Sequence, residues 1–303
     1  MTRSAVFRVT LAAPVLALSL TPALAQVARP SESVTVTGTK SWEVLQDFVT
    51  SLTAPARITG KMVRWNVGIC PLVIGLRRQA VAFIEARVRE IAARVGAPVD
   101  TKAGCKPNIE IAFTTTPQEL ANWLREKHPA YLGYYGSNSQ ADRLAAVTHP
   151  IQAWYATATR DNNGTVQMDE KNVGGGGVTV AGSYFPDAKS YAVTGSRLGD
   201  GLSSGFHHVI VAIEPNKMAR YEIGTLTDYI AMLALTQLKS LDTCQPLPSI
   251  VNLLAQGCGN SPSTLTGNDE AYLKGLYRMN ADKNLGTQTD EVAYRMEQEL
   301  KGR

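Results

Sequence analysis

Four cysteines, Cys70, Cys105, Cys244 and Cys258, constrain this chain more than any other feature, and the segment ahead of them sets their chemistry. Residues 1–25 open with the basic MTRSAVFR, which holds Arg3 and Arg8 and no acid. They continue through the apolar VTLAAPVLALSL and end on a small-x-small triplet, residues 23–25, before Gln26. That is the pattern of a secretory signal peptide cleaved between Ala25 and Gln26. The apolar run is shorter than the ~20 residues a membrane-crossing helix needs, and Pro14 interrupts it. Export to the periplasm or beyond the cell puts the cysteines in an oxidising compartment, so two disulfides are expected. A zinc site is disfavoured, because no Cys-x-x-Cys pair occurs. Four cysteines allow three pairings. Cys70–Cys105 and Cys244–Cys258 are favoured because each pair is near in sequence and flanked by loop residues (CP, AGCKP, TCQP, QGCGN).

The formal charge is +4 and falls by two when Arg3 and Arg8 leave with the leader. A nearly neutral surface without a basic stripe gives no electrostatic reason to expect nucleic acid. No segment of the mature chain reaches ~18 consecutive apolar residues, so no transmembrane segment is expected there. Residues 26–40 read as an extended arm. Their end, VTVTGTK, resembles the short segment that opens many TonB-dependent receptors. Residues 41–303 then form one domain, with a mixed α/β part over 41–240 and a helical part over 241–303.

Periodicity locates the elements. Ser41 can cap a helix over 42–52, and 61–69 alternates as a strand. The clearest helix covers 77–95, where Val81, Ile84, Val88, Ile91 and Val95 recur at alternating steps of three and four before Gly96 and Pro98. A strand is expected over 108–113. A helix follows over 117–127, with Thr116 as N-cap, Pro117 at the first position and Glu119 completing a capping box. Strands are expected over 151–160 and 206–214, with a hairpin turn at Asn163-Gly164. Residues 171–205, rich in Gly and Ser, read as surface loops with one short strand in VTVAGSYF. Helices follow over 225–238, 247–255, 269–279 and 288–300. The expected class is α+β, a mixed sheet with long helices.

The chemical motifs are sparse. Of four histidines, His128 and His149 precede prolines, and His207 and His208 are strand neighbours that should face opposite ways. GLSSG, 201–205, matches the form of a nucleophile elbow on Ser203, but the required strand before and helix after are missing. GGGG, 174–177, lacks the Lys-Ser/Thr of a phosphate loop. Carboxylates such as Glu85, Glu110 and Asp228 are scattered along the sequence.

GTLTDYIAMLALTQ, 224–237, followed by LTGNDEAYLKGLYRMN, 265–280, resembles the active-site helix and last helix of zincin metalloprotease domains, matrixin-like ones in particular. The order of the expected elements is similar as well. The resemblance implies a zincin-like fold. In that family the helix carries His-Glu-x-x-His, in which two imidazoles one turn apart hold zinc and the glutamate is the general base. Those positions fall here on Asp228, Tyr229 and Met232, and the motif is lost. The resemblance therefore implies a scaffold without a catalytic metal or cofactor, with Asp228 and Tyr229 lining a cleft for a protein, a peptide or an envelope component. The mature chain is also similar to a family of secreted proteobacterial proteins with no assigned activity, which implies export. The alternative is a secreted hydrolase, either metal-dependent through His207 or His208 with Asp228, or serine-based on Ser203.

Overall fold

Local sequence signals set most of the elements in the computed structural model, which describes residues 41–170, 178–180, 183–185, 191–194, 199–259 and 261–302. The leader with its Ala25/Gln26 junction, the arm, and the glycine run 174–177 lie outside the described residues. The Ser41 side chain accepts from the Val44 N–H and starts α1 (Trp42–Leu52), which buries Leu45, Phe48, Val49 and Leu52 as one stripe. The run expected as one strand over 61–69 divides. β1 (Val63–Arg64) ends before a bend through 66–68, and β2 (Pro71–Ile74) begins beyond it. Gly68 runs so close to the next loop that a Cβ there would lie 2.9 Å from the Asp100 nitrogen.

α2 (Arg78–Val95) is the expected amphipathic helix, closed by Gly96 in the left-handed conformation at φ 86°. β3 (Ile109–Phe113) and α3 (Pro117–Lys127) match their expected places. Thr116 is the N-cap of α3, but the expected capping box does not form, since its side chain makes no capping bond and sits 3.4 Å from the Thr114 hydroxyl instead. A 3₁₀ turn (Pro129–Leu132) and α4 (Asn138–Leu144) follow; neither carries an apolar stripe that sequence reasoning could find.

β4 (Ile151–Arg160) and β5 (Val166–Met168) form the expected hairpin, with Gly164 at φ 81°. VTVAGSYF holds two short strands rather than one, β6 (Val178–Val180) and β7 (Ser183–Phe185), paired with each other. β8 (Ser203–Ile213) leads through α5 (Pro215–Met218) to α6 (Ile223–Leu235). The helix expected over 247–255 shrinks to a 3₁₀ turn (Ile250–Leu253), which starts after Pro246 and Pro248 at Ser249, whose side chain accepts from the Val251 N–H. α7 (Gly267–Arg278) opens with a Thr266–Asp269 capping box, and α8 (Leu285–Lys301) ends the chain.

The main sheet runs β2-β3-β8-β4-β5. β3 is parallel to β8, from Ile109 opposite Val209 to Phe113 opposite Ile213, and β2 is parallel to β3. β1 is parallel to β8 at Ser204 and Gly205. β4 lies antiparallel to β8 along its length. Alternation in β8 divides the core. Val209, Val211 and Ile213 face a large cluster shared with α1, α2, α6, α7 and α8, and Ile210 and Ala212 face a smaller one shared with α3, Leu132 and Trp154. The fold is mixed α+β with a mixed sheet and eight α-helices among the described residues. Two disulfides staple it, Cys70–Cys105 and Cys244–Cys258, with Cα separations of 6.0 and 5.4 Å. Among the described residues no helix is long and apolar enough to cross a membrane.

Candidate functional site

α6 is apolar on every side, and every residue from Thr225 to Leu235 is buried. It lies between α2 and the turn before α7, and that placement settles what its three singled-out positions do. Asp228 is 1 % exposed. Its Oδ1 accepts from Arg87 Nε at 2.9 Å, and its Oδ2 from Arg87 Nη2 at 3.2 Å and from the Leu265 N–H at 3.0 Å. This fork geometry fixes both partners in place, and the Asp228 bond holds the Arg87 guanidinium above its ordinary proton affinity. Asp228 borders an open depression of about 560 Å³ beside Phe83, Arg87 and Gly224, but both of its oxygens are already engaged. Tyr229 and Met232 are buried in the core. Burial pushes the Tyr229 phenol up, and its hydroxyl has no hydrogen-bond partner among the described residues. Thr227 does not cap the helix; it donates to the Ile223 carbonyl at 2.6 Å.

The other candidates lie on β8. Ser203 opens the strand opposite Arg160 and is buried. The ladder with β4 slips between Ala156 and Thr157, which pair with His208 and Phe206. His207 is the extra residue of this bulge, so simple alternation does not govern the two histidines. His207 is exposed; partial burial, then the neighbouring His208, lower its proton affinity. His208 faces the smaller core and stacks on Tyr131, with ring centroids 4.8 Å apart. Its Nε2 lies 3.3 Å from Glu110 Oε1, an ion-pair contact without the alignment of a hydrogen bond. That contact holds the Glu110 carboxyl below its ordinary value. The sheet stands between His208 and Asp228, and Ser203 lies roughly 16 Å along the strand from His208. The structure therefore does not bring Ser203, His207, His208 and Asp228 together. Among the described residues no three His, Cys, Asp or Glu side chains gather as a metal site.

What the sequence reading missed is a cleft of about 460 Å³ along β4. It exists because the hairpin is lopsided. β5 pairs with β4 from Ala158 to Arg160, and the Asp169 N–H donates to the Thr157 carbonyl at 2.8 Å; before Thr157, β4 has β8 on one side and, among the described residues, no strand on the other. Residues 132–134, Arg143, Arg57 and Gln237 also line the cleft. Among the described residues no carboxylate lines it. The opposite edge of the sheet is closed. Pro71 has no N–H to offer, Arg89 Nη2 reaches the Pro71 carbonyl at 3.4 Å, and the Val73 N–H donates to Glu85 Oε1 at 3.1 Å. Both covering side chains come from α2. An open edge has no local signature, because it depends on which distant segments pair. No protein-family model matches this chain, and neither does any curated protein or solved structure.

Proposed function

We propose that this is an exported binding protein of the bacterial envelope, non-catalytic, on a zincin-like scaffold that lacks the metalloprotease chemistry. It takes a protein, peptide or envelope component into a cleft. The observation that carries the reading is the state of Asp228. In the family the chain resembles, the corresponding helix presents side chains to a metal; here the Asp228 carboxylate is consumed by Arg87 and Leu265, and Tyr229 and Met232 are core. The order strand, long helix, strands, buried helix and final helix supports the scaffold assignment. The two disulfides support export, to the periplasm or beyond. The binding surface moves from α6, where the resemblance would put it, to the cleft beside β4.

The test is the metal content and peptidase activity of the exported protein, purified without chelator or nickel resin. Mass spectrometry should find no stoichiometric metal, and added zinc should not raise the melting temperature. Near-stoichiometric zinc, or cleavage of peptide substrates, would return the protein to the hydrolases.

A further inference from the structure

The cleft along β4 has a floor of main-chain groups whose direction follows from the ladder. The Glu214 N–H donates to the Pro150 carbonyl, and the Val209 N–H to the Asn108 carbonyl on the far side of β8. Strand alternation then turns the N–H and C=O of Gln152, Trp154 and Ala156 towards β8. Those of Ile151, Ala153 and Tyr155 turn outward. Gly133 closes on the Tyr155 carbonyl, where a Cβ would lie 3.1 Å away. Ala153, at the centre, has no outward partner among the described residues and lines the cleft. An unpaired sheet edge is a template for another strand, and natural folds normally cover it, as α2 covers β2 here.

One further feature says what fits. Arg57 and Arg143 line the cleft, are exposed, and make no ion pair among the described residues. Hence the cleft combines an open strand with two cations that carry no salt bridge.

We propose that the open edge of β4 accepts an extended, acid-bearing segment of another protein as an added strand, paired on Ala153, with its carboxylates reaching Arg57 or Arg143. This rests on the binding-protein reading above and names its ligand class. Main-chain bonds to Ala153 give the segment its place, and the arginines select its charge.

Octapeptide pools carrying a fixed Glu, or a fixed Lys, at each position in turn are titrated against residues 26–303 by fluorescence anisotropy. The Glu pools should bind at least about tenfold more tightly than the Lys pools. Ala153→Pro removes an N–H that β8 does not use, so the fold should persist while Glu-pool binding falls about tenfold or more. The surface double variant Arg57→Glu with Arg143→Glu should reverse the preference. Equal binding of the two pools, no saturable binding of either, or binding unchanged in Ala153→Pro overturns the proposal. So does a dimer by sedimentation that Ala153→Pro dissociates, since the edge would then belong to a second copy. Peptide binding that survives Ala153→Pro leaves the binding-protein reading standing, whereas peptide cleavage or bound metal defeats that reading itself.

Discussion

Asp228 shows how one residue can change meaning between sequence and structure. In the sequence it is a lone acid in an apolar helix. In the structure it is the buried half of an ion pair with Arg87, 141 positions away, and no local signal could have named that partner. Breaking a buried pair leaves an uncompensated charge and costs about 3 kcal/mol, at the low end because the Arg87 side chain is 27 % exposed. Asp228→Ala should therefore lower the melting temperature by roughly 6–12 °C, measured by circular dichroism, without affecting binding in the β4 cleft. Glu110 supplies a pH signature. Its folded carboxyl titrates below its ordinary 4.5, chiefly through His208. The stability this contributes is complete above 4.5 and is lost as the pH falls through the lower folded value. Between about pH 5 and about pH 3 the wild-type protein should lose more of its melting temperature than Glu110→Gln does.

At the scale of elements, legibility follows how local the cause is. α2 is readable because its stripe and its closing glycine lie within one stretch, and α3 because Pro117 marks its first turn. The division of β1 from β2 is not, because the contact at the bend, between Gly68 and Asp100, comes from beyond α2. The shortening of the helix over 247–255 is not legible either, because Ser249 and Ile250 are held by Asp269, about twenty positions further on. α6 was placed from its apolar run, but an all-round apolar helix carries no sign of which face would be a site. It is also intolerant of being turned into one. The triple variant Asp228→His, Tyr229→Glu, Met232→His writes a His-Glu-x-x-His motif into the helix. It would also strand Arg87 and bury a carboxylate with no partner. It should be recovered unfolded or aggregated, with no stoichiometric zinc; a folded, zinc-loaded product would mean that α6 can open to solvent.

Across the whole molecule, the disulfides were predictable from spacing and compartment, and the overall class from the order of elements. The sheet order was not, since parallel pairing of β2, β3 and β8 joins segments far apart in the chain. Cys244–Cys258 closes a short loop and Cys70–Cys105 a longer one, with sequence separations of 14 and 35. The chain-entropy argument assigns them about 3 and about 4 kcal/mol. Paired serine substitution should therefore lower the denaturation midpoint more for Cys70 and Cys105 than for Cys244 and Cys258 in equilibrium urea titrations. The unequal edges of the sheet bear on how such molecules can join. Growth by strand addition needs two acceptor sides per unit, one for the copy before and one for the copy after. With Glu85 and Arg89 occupying the β2 side, a copy added through the β4 edge meets no matching place on β2. Pairing through β4 therefore joins two molecules and does not propagate across to β2.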